Sequence, residues 1–332
     1  MTDLRIAVGR EHIAVTGDCR PQHVGDVGGK AVGLGSLVRA GQRVPDSFVV
    51  TAGAYREYLG TRARQLPGPV RAAIADAYAA LGARHGTDVT VAVRSSATVE
   101  DSAEASWAGQ FQTYLGVAGA GQVLARVEEC WAAAQDPQVG AYRAGHQPGV
   151  DGGVAVIVQE LVDARAAGVM FTQHPETGDR SLIVIESSFG LGEAVVGGDV
   201  VPDLFEINKI TGQQHRSRLG TKHHEHRLLP GGRGVGVVPV DPARQRDWSI
   251  SEAEVMALAA MAADLEAKLG RGLDVEWAIG TAASTRGQEA LFALQVRPIT
   301  VRPRQAAAAA PQRDAIGHIL GRLAGRPAEG DS

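Results

Sequence analysis

Asp274-Val-Glu-Trp-Ala-Ile279, followed a short loop later by Phe292-Ala-Leu-Gln-Val-Arg-Pro-Ile299, is the stretch on which the reading of this chain turns. Successive side chains of a strand point to opposite faces, so Val275, Trp277 and Ile279 share one face and Asp274 and Glu276 the other. The second run repeats the alternation, with Phe292, Leu294 and Val296 expected toward the core and Gln295 and Arg297 away from it. Two adjacent strands of this kind present two carboxylates, a carboxamide and a guanidinium on one surface. That set suits a divalent cation and a polyphosphate.

The rest of the composition frames this surface. A chain of 332 residues has room for two domains, or for one large domain with lobes. Its 33 basic and 37 acidic residues leave a net charge of −4, which argues against nucleic acid or an anionic membrane as a partner. The start, Met1-Thr-Asp-Leu-Arg5, lacks the layout of a signal peptide, and no uncharged stretch is long enough to span a bilayer, so a cytoplasmic location is expected. Cys19 and Cys130 stand far apart without CxxC spacing and read as inert thiols.

Working outward, Gly28-Gly-Lys30 opens a run in which Leu34, Leu37 and Val38 have helical spacing and Gly41 is a natural stop. A lysine beside paired glycines at a helix start fits a phosphate contact, and equally fits a solvated lysine. It is not a Walker A loop, because Val24 stands at the first glycine position and Ala31 replaces the magnesium-binding hydroxyl. Val89 to Val93 alternate as a half-buried strand that ends in Arg94 and runs into Ser95-Ser-Ala-Thr98, either a loop that wraps phosphate or a polar connection. Further strands are expected at Pro45–Thr51, Gly153–Gln159, Gly168–Thr172, Ser181–Ser187 and Asp203–Asn208, and helices near Val70–Arg84, Gly121–Ala134 and Ser251–Leu269, the last with a Ser251/Glu254 capping box. His223-His-Glu-His226 lacks helical ligand spacing and reads as a solvated loop rather than a metal site. Strands and helices alternate irregularly, which predicts an α+β (mixed α/β) protein with more than one lobe.

Five segments in this order resemble one family: Gly28-Gly-Lys30, Val93-Arg-Ser-Ser-Ala-Thr98 with Glu100-Asp101, Gly168-Val-Met-Phe-Thr172, Glu186 through Gly190-Leu-Gly-Glu193, and Asp274-x-Glu276 with Gln295-Val-Arg-Pro298. Together they are similar to the nucleotide-binding domain of the phosphoenolpyruvate synthase and pyruvate phosphate dikinase family, and to that of rifampin phosphotransferase. The resemblance implies an ATP-grasp fold over about residues 1–301, two lobes enclosing ATP, with residues 302–332 a linker and tail. It implies that Lys30 and Arg94 hold phosphates, that Glu276 and Gln295 hold Mg2+, that Asp274 supports the site and that Arg297 stabilises charge on the transferring group. Ser95, Ser96 and Thr98 would line the phosphate path, and Gln159, Glu160, Leu161 and Val162 would form the hinge against adenine.

The implied activity is ATP-dependent phosphotransfer that releases AMP and passes a phosphoryl group to a histidine, then to pyruvate or another small acceptor. This sequence departs from the family in lacking the Gly-rich segment with Cys-His-Ala that bears the carrier histidine. His174 is not in that context. A separate protein or domain carrying the histidine and the acceptor site is therefore expected as a partner. The alternatives are a self-sufficient small-molecule kinase or ATP-activating enzyme of a secondary pathway, and a non-catalytic nucleotide-binding regulatory module.

Overall fold

The computed structural model describes residues 12–61, 65–85, 89–97, 112–135, 153–231, 233–270, 272–281 and 289–299. Thr98, Glu100, Asp101, most of the loop between the two opening strands, and the 302–332 tail lie outside the described residues.

Two antiparallel sheets organise the chain. The small sheet has five strands in the order β1 (Ile13–Val15), β2 (Ser47–Val50), β5 (Val154–Glu160), β3 (Val91–Ala97) and β4 (Thr113–Val117). The large sheet has six, in the order β13 (Ala290–Pro298), β12 (Leu273–Gly280), β6 (Ala164–Phe171), β7 (Leu182–Phe189), β8 (Asp203–Asn208) and β9 (Gln214–Arg218). β10 (His224–Leu228) and β11 (Val235–Pro239) pair as a separate two-stranded hairpin. The helices are α1 (Val24–Arg39), α2 (Ala52–Gly60), α3 (Gly68–His85), α4 (Ala120–Ala133), a short α5 (Glu193–Val196) and α6 (Glu252–Leu269). The α+β class expected from the sequence is the one observed. Among the described residues no helix is long and apolar enough to cross a membrane.

Period-two alternation decides which side of each sheet is dry. On one side of the small sheet Val91, Val93, Val154, Val156 and Val158 pack under α2, α3 and α4. The fully buried Trp131 lies there between Tyr55 and Tyr58, and its Nε1 donates to the Val154 carbonyl at 2.9 Å. Burying an indole of about 200 Å² contributes roughly 5 kcal/mol. On the other side Val49 and Ile157 join Leu34 and Leu37 of α1 and Val275, Trp277 and Ile185 of the large sheet in one continuous core, which α6 completes with Leu258 and Leu265. The start of α6 carries the expected capping box: Ser251 N donates to Glu254 Oε2 at 2.7 Å, and Glu254 N donates to Ser251 Oγ at 3.4 Å.

Two sequence expectations need correction. The alternation in β13 does not run unbroken: Glu276 pairs with Gln295 but Trp277 pairs with Ala293, so a bulge at Leu294 shifts the phase. Ala293 and Val296 therefore face the main core, while Phe292 and Leu294 pack on the opposite side with Ala278. A bulge places two residues opposite one and so re-aims the side chains that follow. The expected His223–His226 loop is largely strand β10, in which Glu225 and His226 are buried. Glu225 is accommodated by Arg227 at 3.0 Å and Arg244 at 3.3 Å.

Candidate functional site

The polar face of the large sheet is built by register. Glu276 of β12 stands beside Gln295 of β13, and Asp274 beside Arg297. Arg297 Nε donates to Asp274 Oδ2 at 2.7 Å. Val169 of β6 pairs with Glu276 on one side and with Glu186 of β7 on the other, which brings Glu186 into the same cross-strand row. Burial raises the Asp274 carboxyl above its usual range against the opposing effect of Arg297, and neighbouring Glu276 raises it further. Glu186 is raised as well, first by burial and then by Asp274 and Glu176, against the lowering effect of Arg218. This surface holds more negative charge than it can comfortably solvate, which favours an incoming cation.

The small sheet supplies the cation that answers it. Arg94 and Ser96 of β3 pair with Ile157 and Ala155, the β5 residues that belong to the main core side, so both point toward the large sheet. Arg94 Nη2 donates to Glu276 Oε2 at 3.0 Å and to Gln295 Oε1 at 2.8 Å. Its Nε is buried with no hydrogen-bond partner among the described residues. Ser95 alternates to the other side, where its Oγ donates to the Gln112 carbonyl at 3.4 Å, and only its carbonyl takes part, accepting from Lys30 Nζ at 3.2 Å.

Lys30 reaches this position because α1 is broken at Gly28, which holds φ 78° and lets the helix restart at its neighbours. A Cβ on Gly28 would stand 2.2 Å from Ser96 Oγ, so a bare backbone is required where α1 meets β3. Ala31 N, in the first turn after the break, donates to that same Ser96 hydroxyl at 3.4 Å. Lys30, Arg94 and Ser96 are thus brought together with Glu276 and Gln295, and Asp274 and Arg297 lie one step along the same strands.

The hinge segment shows a division of labour. Glu160 N and Leu161 N are used within the fold, donating to Asp46 O at 2.8 Å and Thr90 O at 2.9 Å. The Glu160 carboxylate turns away from the large sheet to His85 Nδ1 at 3.2 Å. Gln159 is 3% exposed, pairs with Ala92 on the Arg94 side of the sheet, and leaves its Nε2 without a partner among the described residues. Val162 joins Ala167, Leu191 and Ala278 in a separate apolar cluster, edged by Leu115 and Val235.

Glu186 is the acidic residue that the assignment by resemblance passed over as a site residue. Its signal was present in the sequence: a lone carboxylate in the otherwise apolar run Leu182-Ile-Val-Ile-Glu186. His174 holds a turn, its Nδ1 accepting from Glu176 N at 3.2 Å and Thr177 N at 3.3 Å.

The oxygen donors fit magnesium. Glu276 and Gln295 offer a carboxylate and a carboxamide oxygen side by side, already drawn to one cationic group, the Arg94 guanidinium. Among the described residues no group of three or more His, Cys, Asp or Glu side chains could hold a metal ion.

Two antiparallel sheets thus meet through charged groups, with a lysine at a helix restart and an apolar cluster beside the segment after β5. Residues 61–318 match the family described as pyruvate phosphate dikinase, AMP/ATP-binding domain. The chain belongs to that family. It is 36% identical to a phosphoenolpyruvate synthase of Aeropyrum pernix, covering 89% of this chain and 43% of the relative. It is 37% identical to the prodigiosin synthesizing transferase PigC of Serratia marcescens, over 84% of this chain and 32% of that protein. It is 35% identical to a rifampicin phosphotransferase of a Streptomyces species, over 83% and 34%. The chain thus spans less than half the length of each of these relatives. Among solved structures, the ADP complex of an N5-carboxyaminoimidazole ribonucleotide synthetase aligns with a TM-score of 0.35 at 9% identity, over 85% of this chain and 46% of that one, too distant a likeness to weigh.

Proposed function

We propose that the chain is the nucleotide-binding unit of a dikinase-type phosphotransferase, cleaving Mg-ATP to AMP, with one of the two terminal phosphoryl groups passed to a histidine on a separate domain or protein and onward to a small acceptor, and the other transferred to water and released as inorganic phosphate. The observation that carries this reading is the contact of Arg94 with both Glu276 and Gln295, which joins a phosphate-binding cation of one lobe to the magnesium donors of the other. Residues 1–301 form the ATP-binding unit in this reading, and 302–332 a linker and tail.

Phosphoryl transfer asks a protein for positioning and charge neutralisation more than for covalent chemistry. Magnesium held by Glu276 and Gln295 would supply charge neutralisation between phosphate oxygens. Lys30 and Arg94 bind the phosphates from the small-sheet side, with the unpartnered Arg94 Nε offering a second donor once Nη2 is released from Glu276. Arg297 stabilises charge that develops on the transferring group, and Asp274 holds its guanidinium in place. Ser96 borders the phosphate path, and the hinge with the Val162 cluster receives the base.

The identity to a prodigiosin synthesizing transferase supports a second reading, an ATP-activating enzyme acting on a small molecule of a secondary pathway. Incubating the purified chain with Mg-ATP, with and without a protein bearing the carrier histidine, and resolving AMP from ADP separates the two. AMP together with a phosphorylated partner is expected. Acceptor-dependent ADP without any partner overturns the dikinase reading in favour of the second.

A further inference from the structure

The β10–β11 hairpin is anchored in one lobe and ends on the other. At its base, Leu191 N of the glycine loop after β7 donates to the His226 carbonyl at 2.8 Å. The His226 ring is clamped between two carboxylates, with Nδ1 3.2 Å from Glu193 and Nε2 3.3 Å from Asp199. At its tip, Gly234 N donates across to the carbonyl of Gly116, in β4 of the small sheet, at 2.7 Å. Gly116 holds φ 70°, and a Cβ on it would stand 2.5 Å from the Gly234 carbonyl carbon, so the two backbones touch directly.

This crossing closes the apolar cluster at the hinge. Leu115, next to Gly116, and Val235, next to Gly234, pack against the group of Val162, Ala167, Leu191 and Ala278. The cluster is therefore lined from both sheets, and the hairpin tip spans its two sides. β10 is tied by backbone and ring contacts to the glycine loop after β7, and the tip meets the small sheet through the Gly234–Gly116 backbone hydrogen bond.

We propose that the β10–β11 hairpin is a strap across the base end of the nucleotide cleft, and that its tip must leave Gly116 for the nucleotide to enter or depart. The proposal rests on the ATP-binding reading above. It is tested by stopped-flow release of a fluorescent ATP analogue, with magnesium, from the full chain and from two variants. Gly116→Ala forces the tip away. Leu229→Ala removes the side chain that packs over Gly234 and Gly236, outside the cleft, and guards against a folding defect in the first.

Release is expected to quicken roughly five- to tenfold in Gly116→Ala, the factor to which loss of one backbone hydrogen bond corresponds, and severalfold in Leu229→Ala. Hydrogen exchange at the Gly234 amide is expected to slow when nucleotide is bound. Release within twofold of wild type in both variants, with Gly234 exchange indifferent to nucleotide, overturns the strap while leaving ATP binding standing. A wild-type chain that binds no nucleotide overturns the ATP reading itself, and the strap with it.

Discussion

Arg94 and Glu276 belong to different sheets, lie far apart in sequence, and meet at 3.0 Å through the guanidinium Nη2 and a carboxylate oxygen. The Arg94 guanidinium stands on the ground where a metal ion and phosphates are expected. Loading the site then means exchanging one cationic partner of Glu276 for another. Lysine keeps the charge but presents a compact ammonium without the planar fork that reaches two acceptors. Arg94→Lys should weaken Mg-ATP binding about tenfold, near 1.4 kcal/mol, by calorimetric titration. Unchanged affinity would remove Arg94 from the phosphate site.

The break at Gly28 sets the position of Lys30. Adding a methyl group there meets both the positive φ and the Ser96 backbone, whose carbonyl oxygen would lie 2.4 Å from the new Cβ. Gly28→Ala should cost about 1–3 kcal/mol of stability in denaturant unfolding and weaken ATP binding beyond that of a surface control. If the variant retains wild-type stability and affinity, the helix restart is not what places Lys30.

Asp203 and Lys222 form an ion pair with both side chains wholly inaccessible, and Asp203 also accepts from Gly220 N at 2.8 Å and Ser249 N at 2.8 Å. Removing one charge strands the other in a dry interior. Lys222→Met alone should lower stability by about 3–5 kcal/mol, and the double change Asp203→Asn/Lys222→Met, which removes both charges but keeps an acceptor oxygen for the buried N–H donors, should recover much of that loss. Chemical denaturation midpoints of the single and double variants decide this, and a double variant as unstable as the single one would contradict it.

Glu186 carries a pH signature whose sign is fixed by its environment. Its folded pKa is raised, chiefly by burial, so its stabilising contribution is present below the unfolded pKa and is lost as pH rises through the folded value. Glu186→Gln should therefore raise stability at neutral pH and remove part of the stability lost between acid and neutral solution. The same change should reduce Mg-ATP turnover, because the negative surface that attracts the cation is weakened. Thermal unfolding across that pH range, paired with turnover, provides the check; a variant less stable than wild type at neutral pH would show that burial is not what governs this carboxylate.

Much of this arrangement is legible in the sequence. Alternation in Asp274–Ile279 and the spacing of Leu34 and Leu37 read correctly because each element buries one face and solvates or charges the other. The bulge at Leu294 was not legible, since two residues opposing one is a property of the pairing and not of either strand alone. Ser95 and Ser96 read alike in sequence, and only the register of β3 with β5 turns one hydroxyl toward α1 and the other toward Gln112. Burial of His226 was hidden for a related reason: its two carboxylate partners, Glu193 and Asp199, come from a segment that the fold brings alongside β10.

The central claim is that Glu276 and Gln295 hold magnesium against ATP whose phosphates Lys30 and Arg94 bind. Equilibrium titration of ATP into the wild-type chain and Glu276→Gln, each with and without magnesium, tests it most directly. The account predicts tight binding by wild type only with the metal, and a variant that folds normally but loses most of the magnesium-dependent gain. Binding by Glu276→Gln that matches wild type at every magnesium concentration would contradict it.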